Sequence, residues 1–245
     1  MTSADEHLHL ERIASDSWYA RGANARTIDY SFRIFSRHIR GDSILEMGPA
    51  EGVMTNLLAP LGRNLTLLEG SGRFCEDLTR RFPKATVVHA LFEDFRPHER
   101  FDSIVLGHVL EHVLDPVAIL RLTKSWLKPG GRVLAAVPNA RSLHRQAAVL
   151  LGLLQFEEEL NEADQHHGHR RVFTPETFRN AFLRSGLDIE IFGGYWLKPL
   201  SNQQIEDTWT PEMVEAFMQL GERYPDIAGE LYVVAKLPAK ETSAD

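Results

Sequence analysis

From residue 43 onward, apolar positions in this chain alternate between two spacings. Short, nearly continuous apolar runs predict strands at "SILEM" 43–47, "NLTLLE" 64–69, "ATVVHA" 85–90 and "FDSIVLGHV" 101–109. The same signal recurs at "GRVLAAVPN" 131–139, "LDIEIFGGYW" 187–196 and "GELYVVAKL" 229–237. Helical spacing fills the intervals, at "GVMTNLLAPL" 52–61, "GRFCEDLTRRF" 72–82, which stops before Pro83, and "PVAILRLTKSWL" 116–127. The last of these meets the breakers Lys128-Pro129-Gly130-Gly131. "TPETFRNAFLRSG" 174–186 opens with a Thr cap and Pro at the first helical position and closes on Gly186, and "TPEMVEAFMQLGERY" 210–224 starts with the same chemistry. Residues 10–40 predict two or three helices, while 1–8 and 239–245 are polar enough to fray.

Strands that are apolar on both faces belong in a parallel sheet covered by helices on each side. The chain therefore reads as α/β, a doubly wound, seven-stranded, mostly parallel sheet. Its expected parts are an N-terminal helical cap at 1–40, a ligand-binding core at 41–139, an inserted lid at 140–173, the rest of the core at 174–238 and a tail at 239–245.

Composition removes several function classes. A formal net charge of -7 offers no general attraction to phosphate, so no nucleic-acid partner is expected. The single cysteine, Cys75, excludes an internal disulfide and reads as a small core residue. No Cys/His ligand spacing is present and "HHGH" has poor facial geometry by itself, so no metal is expected. No run is long enough to span a bilayer, and nothing resembles a signal peptide. The expectation is a cytoplasmic monomer or homodimer that acts on a small molecule, with no membrane partner.

The chemistry concentrates in "ILEMGPAEGVMTNLLAPLGRNLTLLEGSGRF" 44–74. A turn carrying Gly48 and Gly52 follows the first strand, and Glu69 ends the second, where a carboxylate can accept the hydroxyls of a ribose. A dinucleotide site would rest a pyrophosphate on the helix start, yet Glu46 and Glu51 surround this turn. Those carboxylates suit a ligand that carries an ammonium and a sulfonium. The segment resembles motif I of class I S-adenosylmethionine-dependent methyltransferases, with Ala50 in place of the middle glycine.

Further resemblances follow in the family's order. "LLEG" is similar to its ribose motif, "ALFEDF" 90–95 to its adenine-side motif, and "FDSIVLGHVLEHVLDP" 101–116 to the fourth-strand motif beside the sulfonium. The resemblance covers most of 43–139 and implies S-adenosylmethionine as cofactor. It implies Glu46, Gly48, Pro49, Ala50, Gly52, Glu69, Gly70, Leu91, Phe92, Glu93, Gly107 and His108 as the residues around that cofactor. The layout after strand five looks like the branch that holds ubiquinone-type O-methyltransferases and natural-product N- and O-methyltransferases.

Eleven histidines are many for this length, and histidine is the natural base near neutral pH. His108 and His112, spaced i, i+4, would share one helical face and are the candidate bases. His166, His167, His169 and Arg170 of the insertion, with Trp18, Tyr19, Tyr30 and Trp196, are the candidate acceptor contacts; aromatic faces there would stack on a planar acceptor. The histidines favour a heteroaromatic nitrogen acceptor, for example an azapteridine of the toxoflavin kind, over a phenolic or quinone oxygen. A nicotinamide-dependent oxidoreductase and an inactive cofactor-binding paralogue are the rival readings.

Overall fold

The computed structural model describes residues 3–16 and 21–239. Two helices lead, α1 Ser3–Ser15 and α2 Gly22–Ser36. The alternating core follows as β1 Ser43–Met47, α3 Val53–Leu58, β2 Asn64–Glu69, α4 Gly72–Arg81, β3 Thr86–His89, β4 Phe101–Gly107, α5 Pro116–Trp126 and β5 Leu127–Pro138. The insertion carries α6 Leu143–Leu150 and α7 Glu162–His166, and the chain returns through α8 Pro175–Ser185, β6 Asp188–Tyr195, α9 Asn202–Thr208, α10 Pro211–Arg223 and β7 Glu230–Lys236.

All seven strands join one sheet in the order β3-β2-β1-β4-β5-β7-β6, with β7 antiparallel to both neighbours and the other pairings parallel. The period-2 alternation of strand side chains builds a core on each face. Leu45, Met47, Ile104, Leu106, Val133 and Ala135 point to one side, while Ile44, Val105, Leu134 and Ala136 point to the other. Burying each large side chain contributes about 1.5–3 kcal/mol. Truncating a fully buried one such as Ile104 to Ala costs about 2–5 kcal/mol. Strand order reverses between β1 and β4, so a crevice opens beyond their carboxyl ends.

Three local departures from the sequence expectations have physical causes. β4 stops at Gly107 rather than 109 because His108 adopts a left-handed backbone with φ 60. β5 starts at Leu127 because "KPGG" is absorbed into the strand across a register shift, where a side chain at Gly131 would stand 3.0 Å from the Asp102 and Lys128 carbonyl oxygens. α1 is ordered from Ser3, where fraying was expected. Its Glu11 carboxylate accepts the Gly72 amide at 2.6 Å, and a Gly70 Cβ would lie 2.5 Å from Leu10. The tail from residue 240 lies outside the described residues, as do Trp18 and Tyr19.

Candidate functional site

The crevice beyond β1 and β4 is a cavity of about 370 Å³. Glu46, Gly48, Pro49 and Ala50 line it from the first turn, Glu69 and Gly70 from the end of β2, Leu91, Phe92 and Glu93 from the loop after β3, and Gly107 and His108 from the end of β4. Gly48 has φ 63, and a Cβ there would crowd Val109 at 3.2 Å, so the turn needs glycine for both conformation and space. Leu10 and Ile13 of α1 roof the cavity, together with His167 and Gly168 of the insertion.

Acidic groups set its electrostatics. Glu46 is buried, receives the Thr55 hydroxyl at 2.7 Å, and has its carboxyl pushed up to about 8 by burial. Glu69 is raised by burial too, although the amides of Ser71 at 2.8 Å and Ala50 at 3.1 Å donate to its two oxygens and pull the other way. The Oε2 of Glu51 is buried with no hydrogen-bond partner. The lining thus favours a cation near the turn and a hydroxyl-bearing group near Glu69, which fits an amino acid joined to a nucleoside.

A second cavity of about 70 Å³ adjoins the first, and His108, His167 and Ile28 line both. Around it lie Glu111, His169, Glu230 and Trp196. His108 Nδ1 lies 3.5 Å from Glu111 and 3.8 Å from Glu230, and its Nε2 is 3.2 Å from the Tyr195 hydroxyl. Burial pulls the His108 imidazole down, but Glu111 and then Glu230 outweigh it and raise its pKa above 6.5. His112 goes the other way, to about 3, because burial dominates. Both oxygens of Glu111, Oε2 of Glu230 and Nε1 of Trp196 are buried without hydrogen-bond partners.

A methyltransferase-domain family profile matches residues 19–190, well over half of the chain. This chain belongs to that methyltransferase family. Its class I, S-adenosylmethionine-dependent character agrees with the motif order and with the fold. Among curated relatives of this methyltransferase, a ubiquinone biosynthesis O-methyltransferase of Methylocella silvestris is 28% identical, covering 73% of this chain and 79% of its own. One of the same name from a Methylobacterium species is 28% identical over 82% and 88%. Among solved structures, the N-methyltransferase NodS of Bradyrhizobium japonicum in complex with S-adenosylhomocysteine has a TM-score of 0.62 at 16% identity, covering 95% of this chain and 98% of its own. The CcbJ methyltransferase of Streptomyces caelestis also reaches 0.62, at 12% identity over 91% and 100%. These two likenesses concern the fold.

Within the methyltransferase fold, the expected cofactor residues line the larger cavity with one exception. Gly52 faces α4 instead: φ is 71, and a Cβ would meet Leu78 at 3.0 Å and Phe82 at 3.1 Å. His108 and His112 both reach the cavity, but no helix stacks them, since His108 is left-handed and the segment to Pro116 is a run of turns. Tyr30 does not face the acceptor region. It is buried in the core, stacked on Tyr195 at 5.5 Å, with its hydroxyl donated to Glu222. Arg170 lines neither cavity and instead ties α1 to the fourth-strand loop, donating to Glu6 at 2.9 and 3.0 Å and to the His112 carbonyl at 2.6 Å. His166 is half-exposed beside Asp16, whereas His167, His169 and Trp196 line the smaller cavity. Sequence reasoning passed over Glu111 and Glu230, whose neighbours are apolar enough to suggest plain core.

Proposed function

We propose that this methyltransferase N-methylates a small, planar heteroaromatic acceptor that enters past α1 and seats its polar edge in the smaller cavity. The supporting observation is the pairing of the cavity rich in motif residues with a polar one, the two sharing His108. S-adenosylmethionine supplies an electrophilic methyl group when bound. Glu69 would hold its ribose, Glu46 and Glu51 its amino-acid end, and Leu91 to Glu93 its base.

The rest of the work belongs to side chains of this chain. Trp196 Nε1 and Glu230 Oε2, a buried donor and a buried acceptor without partners, complement a ring that offers C=O beside N–H, as in pteridine-like systems including the toxoflavin kind. His108 stands between the two cavities and is the base: it takes the proton of the acceptor N–H as that nitrogen gains the methyl group. Roofing by Leu10 and Ile13 keeps water out, and alignment of this sort supplies roughly 7–11 kcal/mol of barrier reduction. His112, whose pKa is driven down to about 3, is a poor base near neutrality.

A second reading, O-methylation of a phenol or quinol, is favoured by the relatives named ubiquinone biosynthesis O-methyltransferase. Incubating the full chain with methyl-labelled cofactor and a host metabolite extract, beside panels of N–H heteroaromatics and phenols, separates the two. Label on a ring nitrogen supports the proposal, and label on a phenolic oxygen replaces it with the second reading. Binding of S-adenosylhomocysteine without any labelled product makes the chain an inactive paralogue. His108→Ala should cut turnover about 10²–10⁴-fold if His108 is the base.

A further inference from the structure

Three donor groups from two separate segments converge at the wall between the cavities. Glu111 and His112 come from the loop after β4, and His169 comes from the insertion after α7. Their ligand atoms lie within 4.8 Å of one another. Glu111 is fully buried and neither of its oxygens has a hydrogen-bond partner, the His108 and His112 rings standing 3.5 and 4.0 Å from Oε1, so the carboxylate calls for a cation.

The two imidazoles are oriented from behind. His169 Nδ1 lies 3.1 Å from Asp164, and Asp164 is held in turn by the buried guanidinium of Arg145 at 2.9 Å. That arrangement leaves His169 Nε2 as the free lone pair. The His112 ring is restrained by the Gly168 backbone and packs edge-on against His169 at 4.8 Å between ring centres, with its Nε2 4.0 Å from Glu111. A histidine fixed by a carboxylate on its far nitrogen is the usual support for a metal ligand.

We propose that Glu111, His112 and His169 bind one divalent transition-metal cation. Two imidazoles and one carboxylate suit zinc or manganese better than magnesium or calcium, which prefer all-oxygen shells. Three protein ligands leave a coordination position open, and His112 lines the larger cavity while Glu111 and His169 line the smaller. The ion site rests on these ligands alone. Its role rests on the function proposed above: the ion would bind the carbonyl oxygen beside the acceptor N–H, acidifying the proton that His108 removes and leaving the nitrogen lone pair for the methyl group. The sequence expectation of no metal was drawn from the "HHGH" run, whereas this set takes only one histidine from it and adds Glu111 and His112.

Elemental analysis and calorimetry on the full chain test the site. After treatment with a chelator and dialysis, titration with Zn²⁺ and separately Mn²⁺ should show about one equivalent bound to the wild type. Affinity should fall at least 100-fold in His169→Ala and in Glu111→Gln, and more mildly in Asp164→Asn. S-adenosylhomocysteine binding and melting temperature report folding for each variant. Equal affinity in wild type and both ligand variants, or no stoichiometric ion in the wild type, overturns the metal site. Should Glu111→Gln fail to fold, His169→Ala decides the matter, being less buried at the ligand position. Loss of S-adenosylhomocysteine binding by the wild type would refute the functional reading while leaving the ion titration interpretable.

Discussion

The Ala50 amide donates to the Glu69 carboxylate at 3.1 Å, locking the turn after β1 to the tip of β2. Ala50 makes this bond from a left-handed backbone, φ 47, where its family's motif carries glycine. An alanine there bears about 1–2 kcal/mol of strain, against which glycine loses about 0.4–1 kcal/mol through its freer unfolded chain. Ala50→Gly should therefore raise the free energy of unfolding by about 0.5–1 kcal/mol in urea melts. A loss of stability would show that the methyl group packs well enough to outweigh its backbone.

Glu69 accepts the amides that shape the turn, and in the proposed function it would also accept the hydroxyls of a bound ribose. Glu69→Ala removes charge-assisted hydrogen bonds worth about 1.5–3 kcal/mol, so affinity for S-adenosylhomocysteine should drop on the order of 10- to 100-fold. Glu93→Ala, at the exposed edge of the same cavity, should cost less. Equal and small effects at both positions would detach Glu69 from ribose recognition.

Glu46 gives a pH dependence with a definite sign. Its folded-state carboxyl sits at about 8, against an ordinary 4.5. Between those values the folded protein holds a proton that the unfolded chain has lost, so this group makes stability fall as pH rises from about 4.5 to 8. Glu46→Gln should flatten that slope and leave the variant relatively more stable at pH 8 than at pH 5. A bound cation ionises Glu46, so cofactor binding at pH 7 should release a proton, read by calorimetry in buffers of different ionisation enthalpy. An unchanged slope in the variant would mean that Glu46 is already charged in the free protein.

The roof is fastened by Glu11 to the start of α4, by Glu6 to Arg170 and by His7, whose Nδ1 lies 3.2 Å from the Gly70 carbonyl oxygen. Arg170→Ala frees one fastening and its partly buried ion pair. Cofactor release by stopped flow should accelerate several-fold, with little change in association. Unaltered release would make α1 a fixed wall.

The strands and the residues that line the larger cavity were legible because both depend on local pattern. Apolar runs set the sheet, and glycines and acids at strand ends set the first cavity. Glu111 was hidden because "VLEHV" reads as core, and only folding brings His169, 58 positions away, to its carboxylate. Tyr30 misled for the complementary reason. An aromatic in a leading helix looks the same in sequence whether it faces an acceptor or, as here, Tyr195 and the core. A helical cap over 1–40 was expected, but that α1 in particular roofs the cavity shows only through the partners of Glu6, Leu10 and Glu11.

The central claim, that the mouth beyond β1 and β4 holds a sulfonium nucleoside rather than a diphosphate, is tested by calorimetric titration of the full chain with S-adenosylhomocysteine and with NAD. The account predicts one S-adenosylhomocysteine site per chain, weakened by Glu69→Ala, and no heat of binding from NAD. Binding of NAD with indifference to S-adenosylhomocysteine would contradict it.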